Sequence, residues 1–296
     1  MSKQTSNLQY FDQYIRNVDF SYISPFGEIG APDSYVVNAS FRNSFMIIAN
    51  KNWPVAMSIT PEVVARVRKE VSAGVRTPSF KIAGNLHYRL SRSFTRYKYA
   101  EAGFTHHSNG QDGEALNPDG SLNTVTGNFT TNFITAAYRF GHFRQSRRIT
   151  GTIYSFNHKA GIELHRLFKF EKAIKSDYGF TRLVYQFSLR SYGAADDENS
   201  SNIPIRLSTK EKWRLNADAS YATNAIQGYG GLEYERRFNG EVSFHYSLPF
   251  MGNTYAMAAL GYYGEDPYNI YYRNHYGYLR LGISASISKY LTRNRL

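Results

Sequence analysis

The chain of 296 residues contains no cysteine, which excludes a disulfide framework, a thiolate metal centre and a cysteine nucleophile. The absence fits an oxidising envelope without requiring one. No apolar run approaches the roughly 18 residues that a membrane-spanning helix needs, and only 20% of residues are charged. The polar start, Met1-Ser-Lys-Gln-Thr-Ser6, is followed by no apolar stretch of a secretory signal; we expect a mature chain whose start has been replaced. The formal net charge of +12 raises nucleic acid as a partner, but there is no recognised nucleic-acid module and no concentrated basic helix. Attraction to anionic lipid headgroups is the better reading, and no nucleic-acid partner is expected.

What the chain does have is 25 Tyr, 20 Phe and 23 Gly at a mean hydropathy of −0.48. That combination suits a soluble β-sandwich or a transmembrane barrel, whose strands alternate lipid-facing and lumen-facing side chains and so hide their hydrophobicity. Periodicity decides between them. In Tyr278-Leu-Arg-Leu-Gly-Ile-Ser-Ala-Ser-Ile-Ser288, apolar Leu279, Leu281, Ile283, Ala285 and Ile287 alternate with polar or small residues. Similar segments lie near 34–49, 55–70, 79–91, 97–108, 127–140, 148–168, 179–192, 210–222, 228–239, 241–250 and 253–264, which with the last makes twelve strands. The expected fold is an all-β transmembrane antiparallel barrel, with residues 1–33 as an N-terminal lead-in and 34–296 as one barrel domain. Short turns at Phe140-Gly-His142, Phe238-Asn-Gly240 and Phe250-Met-Gly-Asn253 contrast with long polar stretches at 110–127, 194–208 and 264–274, as in outer-membrane barrels.

One segment argues for a helix: Thr60-Pro-Glu-Val-Val-Ala-Arg-Val-Arg-Lys-Glu70 offers an N-cap, proline at the first helical position and an early acid. Its neighbours are strands, and it is read as strand. Tyr262, Tyr263, Tyr271 and Tyr272 read as an aromatic girdle.

Chemistry concentrates in Thr105-His-His-Ser-Asn-Gly-Gln-Asp-Gly113, where a strand-like segment ends. Residues i and i+2 of a strand share a face, so His106 and Ser108 point the same way, as base-assisted serine catalysis requires. Their face continues backward as Phe104, Ala102 and Ala100, the more apolar side. His107, Glu101 and Arg139 fall on the other, where solvated or paired lumenal groups are expected.

His106-His-Ser108-Asn-Gly110 resembles the His-x-Ser-Asn-Gly motif of the outer-membrane phospholipase A family of Gram-negative bacteria. The likeness continues in Ser72-Ala-Gly-Val-Arg76 with Pro78 and Phe80, in Gly228-Tyr-Gly-Gly-Leu-Glu233, in Gly261-Tyr-Tyr-Gly-Glu265 and in Arg280-Leu-Gly-Ile-Ser284. It implies a twelve-stranded enzyme of the bacterial outer membrane that hydrolyses phospholipid acyl esters, embedded in its substrate's membrane and active as a calcium-dependent homodimer. By that resemblance Ser108 is the nucleophile, His106 the general base and an Asn the residue orienting the imidazole. A neutral amide suits a lipid-facing wall, where a carboxylate would carry a large desolvation cost. Two candidates compete for that role. Asn132 is the expected one, because it lies about nine residues before the turn at Gly141 while His106 lies about ten after the turn preceding its strand; Asn128 would sit four residues, roughly 13 Å, higher, and the long loop between the strands keeps it as the alternative. The resemblance gives the oxyanion to the Gly110 N–H and a calcium ion, with Gln111 supplying a carbonyl, Asp112 lying in the ligand loop and Ser72 coming from a second subunit. Asn117-Pro-Asp-Gly-Ser121 could add oxygens but is equally a common turn sequence. The alternatives are a non-catalytic pore or envelope-complex subunit that retains the motif, and another barrel hydrolase such as a lipid A deacylase or protease, against which the lack of an acidic partner for His106 counts.

Overall fold

The computed structural model describes residues 19–285 apart from 50–52, 70–73, 76–77, 92, 94–95, 148, 150–151, 169, 171, 194–210 and 251–253. Thirteen strand segments form one antiparallel sheet: β1 (Ser21–Ser24), β2 (Tyr35–Arg42), β3 (Phe45–Ala49), β4 (Val55–Arg68), β5 (Ser79–Arg89), β6 (Arg96–Ser108), β7 (Thr131–Gln145), β8 (Thr152–Leu164), β9 (Thr181–Gly193), β10 (Glu211–Ala222), β11 (Phe238–Ser247), β12 (Thr254–Tyr263) and β13 (Tyr276–Ala285). β1 pairs with β13 and with β2, and β2 pairs with β4, so the sheet closes on itself. β2 and β3 run in line along β4, and the ring therefore has twelve staves. Closure gives each of the twelve staves a partner on both sides, although among the described residues the β3 segment itself is paired only with β4.

The count of twelve holds, although its members shift. Ser21–Ser24, inside the segment read as lead-in, is the stave that closes the ring. Residues 228–239, read as strand, are mostly a loop with a 3-10 turn at Tyr234–Arg236 before β11 begins. The tyrosine-rich run there mimics alternation, but Arg236 and Arg237 are spent on loop carbonyls, Arg236 on Tyr272 at 2.6 Å and Arg237 on Gly230 at 2.7 Å. Residues 140–142 and 238–240, read as turns, lie within β7 and β11. The stretch 194–208 lies outside the described residues; it joins β9 to β10 at the end that carries the short turns.

The helix signal at Thr60–Glu70 loses to tertiary pairing, since β4 has partners along both sides through Arg68. Pro61 is accommodated because it faces the break between β2 and β3, where no amide hydrogen is required of it. Its carbonyl accepts from Asn43 at 3.2 Å, and Ser44 and Thr60 share a 2.7 Å hydroxyl contact beside it.

Facing is inverted relative to a soluble protein. Ile82, Leu86, Phe104, Leu183, Val242 and Leu260 are exposed on the outside, whereas Glu101 lies inside, 2.9 Å from Lys159 and 3.5 Å from Arg139. Arg66 spans Asp266 at 2.7 Å and Glu28 at 3.3 Å. A cavity of about 400 Å³ runs among such groups, where oppositely charged partners offset the desolvation that isolated charges would suffer. The long-loop end is capped by a dry cluster that includes Phe129, Tyr178, Phe180, Ile270 and Tyr272. Two of the four tyrosines read as girdle, Tyr271 and Tyr272, belong to this cap, and Tyr263 stacks on Tyr278 at 4.3 Å. Only Tyr262, beside Tyr234 at 6.0 Å, keeps a place of that kind, because the loop bearing the others folds over the lumen.

His165, just past β8, lies under this cap, stacked on Phe133 at 4.3 Å and set edge-on to Tyr178 at 5.6 Å. Burial holds its imidazole down at about 4, against the opposing pull of the Glu163 carboxylate 3.7 Å away. The folded value lies below the unfolded one, so the unfolded chain binds more protons between the two and stability falls as pH drops through that window. From about pH 6.5 to 4 the barrel should lose on the order of 3 kcal/mol at this residue. Thermal unfolding of detergent-solubilised protein should show that decline for the wild type and a flatter profile for His165→Phe, which keeps the stack but cannot titrate; coincident profiles would contradict it.

Candidate active site

β6 alternates strictly between outward and inward residues, and His106 falls on the outward series with Lys98, Ala100, Ala102 and Phe104. His107 points inward, its Nε2 2.8 Å from Ser79 Oγ. That places His107, Glu101 and Arg139 as lumenal, partnered groups. Across the β6–β7 ladder His106 stands opposite Asn132. Their side chains meet on the outer wall, with Nδ1 and Oδ1 at 2.8 Å. Because the amide oxygen can only accept, Nδ1 carries the hydrogen and Nε2 is left as the acceptor.

Ser108 ends β6, half-buried. Its Oγ accepts the Gly110 N–H at 3.0 Å and lies 3.5 Å from the Thr130 hydroxyl. Gly110 adopts φ +67°, a conformation disfavoured for residues with a Cβ, and that turn aims its N–H back at the serine. Asn109 anchors the bend: buried, it donates to the Gly127 carbonyl at 2.7 Å and accepts from the Phe129 N–H at 3.1 Å. Asn269 of the cap also holds Phe129, donating to its carbonyl at 2.8 Å. Cap, loop and serine thus form one connected unit. Asn109 and Thr130 were not singled out from sequence; an Asx residue before a glycine after a strand was the available cue for Asn109.

Asn128 does not reach the imidazole. Its Oδ1 accepts the Thr130 N–H at 3.0 Å and the Thr130 hydroxyl at 2.6 Å, an Asx turn that launches β7.

Phe80 and Ile82 stand beside Ser108 and His106 on β5, both exposed, and Phe168 lies edge-on to Phe104 at 5.0 Å. An ester can therefore approach His106 and Ser108 from the apolar outside. Another Ser–His pairing exists in the lumen, where Ser58 Oγ is 3.0 Å from His87 Nε2 and Glu101 lies 3.4 Å from His87 Nδ1. All three are buried and do not line the cavity.

The calcium ligands expected from sequence are only partly assembled. Among the described residues no three His, Asp or Glu side chains approach one another as an ion would require. Gln111 and exposed Asp112 follow Gly110 directly, and Ser72 lies outside the described residues. Asn117–Ser121 is a turn: Gly120, at φ +81°, donates to the Asn117 carbonyl at 2.9 Å, and Asp119 Oδ1 binds the Ser121 N–H at 2.9 Å and its hydroxyl at 2.6 Å. Its carboxylate serves the turn.

These features define a class, a closed twelve-stranded antiparallel barrel of the outer-membrane type. Among solved structures, an active-site mutant of outer membrane phospholipase A from Escherichia coli aligns over 90% of each chain with a TM-score of 0.50 at 12% identity. The Escherichia coli outer membrane phospholipase A structure aligns over 90% of each chain at 0.48 and 12%, and LpxR from Salmonella typhimurium over 86% of this chain and 90% of its own at 0.38 and 10%. No protein-family profile matches the sequence, nor does any curated protein. At such identity the likeness to the phospholipase is one of fold.

The hydrogen bond to Asn132 makes a spectroscopic prediction. Nitrogen-15 NMR of selectively labelled His106 should show the Nδ1–H tautomer, and Asn132→Ala should shift the population towards Nε2–H. An unchanged tautomer in the variant would show that Asn132 does not set it.

Proposed function

We propose that this chain is an outer-membrane hydrolase that cleaves acyl esters of phospholipids, with Ser108 as nucleophile, His106 as general base and Asn132 as the residue orienting the imidazole. The observation that carries the proposal is the His106–Asn132 hydrogen bond of 2.8 Å on the outer wall, two residues from a serine on the same face. A phospholipid in the surrounding bilayer would meet that face directly, without entering the lumen.

In the proposed reaction, His106 Nε2 takes the Ser108 proton as Oγ attacks the acyl carbonyl. The Gly110 N–H, 3.0 Å from Oγ, is placed to donate to the developing oxyanion. Protonated His106 then returns the proton to the leaving glycerol oxygen, releasing lysophospholipid. Water, deprotonated by the same imidazole, hydrolyses the acyl-serine to fatty acid and free enzyme. A neutral Asn holds the ring without placing a second charge against lipid.

Calcium belongs to the proposal as a further electrostatic aid at Gln111 and Asp112, completed by Ser72 from a second copy in a homodimer. No step above is routed through it.

Fatty-acid release from phosphatidylcholine in mixed micelles tests the reading. Wild type with calcium should be active and Ser108→Ala inert. Asn132→Ala should lose on the order of tenfold or more, up to the roughly 10²–10⁴ that general-base catalysis contributes in full, whereas Asn128→Ala should stay within a few-fold of wild type. Release by Ser108→Ala equal to that of wild type would end the proposal. Chelation of calcium should lower the rate about tenfold or more while leaving heat-resistant migration of the barrel unchanged; full activity in chelator would remove calcium from it.

A further inference from the structure

The outer wall of β6 and β7 is bounded at its other end by a second set of polar groups that the proposed hydrolysis does not use. Arg96 and Lys98 continue the outward series of β6, and His142 and Arg144 that of β7; all four are exposed. Arg96 stands opposite His142. Neighbouring strands lie about 4.8 Å apart, so the Arg96, Lys98 and Arg144 heads can converge on one ligand. Arg147 adds an exposed cation in the turn beyond. Among the described residues none of these four cations has an ion-pair partner. On the inner face of β6 to β8 the opposite holds, for Arg139 and Lys159 are paired with Glu101.

The patch is one-sided. No acidic residue faces outward on β5 to β8 among the described residues. Around the rest of this rim the outward positions are Val55 on β4, Leu189 on β9, Tyr246 on β11 and Ile283 on β13, with Lys212 on β10 the only described cation. A ring of headgroup-level cations would be the ordinary arrangement; three on two adjacent strands is a local concentration of charge.

Spacing ties the patch to a bilayer surface. Ten residues separate Lys98 from Ser108, about 33 Å along a strand and roughly 25 Å along the barrel axis at the usual tilt. Between Lys98 and the His106–Asn132 pair the outward residues are apolar or small: Ala100, Ala102 and Phe104 on β6, and Ile134, Ala136 and Tyr138 on β7. That height matches the apolar band of a membrane barrel, about 25 Å. With Ser108 at the headgroup level of one leaflet, Lys98 lies at that of the other.

We propose that Arg96, Lys98 and Arg144 form a docking site for an anionic phospholipid of the leaflet at the short-turn end, its phosphate and net negative headgroup held by the three cations and its acyl chains against the apolar wall. Charge complementarity selects this occupant, since a zwitterionic headgroup would bring an ammonium into an unneutralised cationic cluster. The site rests on the barrel's placement in a membrane and not on the chemistry of Ser108.

Lipid retention on the purified, folded barrel tests it. Detergent-solubilised protein is incubated with equimolar ether-linked phosphatidylglycerol and ether-linked phosphatidylcholine, and bound lipids are counted by native mass spectrometry. Ether linkages cannot be hydrolysed, so the result is independent of any esterase activity. Wild type should retain phosphatidylglycerol in preference by about tenfold, less at high salt. The triple variant Arg96→Gln, Lys98→Gln, Arg144→Gln should lose the preference, and Lys212→Gln should keep it. These side chains face outward, so folding is expected to be unaffected and is checked by heat-resistant migration. Equal retention of the two lipids by wild type, or an undiminished preference in the triple variant, would overturn the site. Capture of an acidic peptide with no lipid preference would replace the lipid by a protein partner and overturn it equally.

Discussion

The two-residue period of a strand in a closed wall is the constraint on which the rest depends. Because every stave of the ring is paired on both sides, no strand can slip by one residue without turning its whole series inside out. β6 shows the consequence: His106 belongs to the outside and His107, its chain neighbour, to the lumen, where Ser79 holds it. The same rule sends Glu101, Arg139 and Lys159 inward to neutralise one another and leaves Ala102 and Ala136 facing outward. Two chemically opposite surfaces, one wet and paired and one apolar, are thus written into a single strand.

On that wall the hydrogen-bonding pattern is economical. A carboxylate at position 132 would need solvation that an apolar exterior does not offer, whereas an amide orients the imidazole and carries no charge. The rest of the geometry depends on Asn109. By bonding both Gly127 and Phe129 it ties the loop after Ser108 to the aromatic cap, and Gly110, caught between, has its N–H turned to the serine. Precision at Ser108 therefore comes from residues facing the protein, while its accessibility comes from the side facing away.

Much of this was legible in the sequence, for reasons that can be named. Alternation survives in β6 and β13 because both faces are chemically distinct along their whole length. The His106–Asn132 pairing could be anticipated even though residues 140–142 are not a turn. The connection lies further on, after Gln145, but Arg96 at the start of β6 does stand opposite His142, so the two distances compared are counted from positions that pair across the ladder. β1 was not legible, since four residues are too short for any period and acquire strand geometry only from β13 and β2. Residues 228–233 failed in the opposite sense, where Tyr and Gly in alternation imitate a strand but the chain folds back on Arg237. Asp112 and Ser72 entered only through the family resemblance, for a different reason: an ion shell gathers oxygens from loops and from other molecules, and no periodicity governs either.

An aromatic cap covers the long-loop end of the lumen. Three loops, those between β6 and β7, β8 and β9, and β12 and β13, bury their aromatic residues against one another over the long-loop end, and Asn269 stitches two of them together through Phe129. Below it, Arg66 with Asp266 and Arg182 with Glu265 bridge the wall to the same loops. Breaking one of these pairs would strand a buried charge, so the cap is coupled to the barrel wall by electrostatics as well as by packing. Since Phe129 and Gly110 share one loop, whatever holds the lumen shut also holds the N–H beside Ser108 in place.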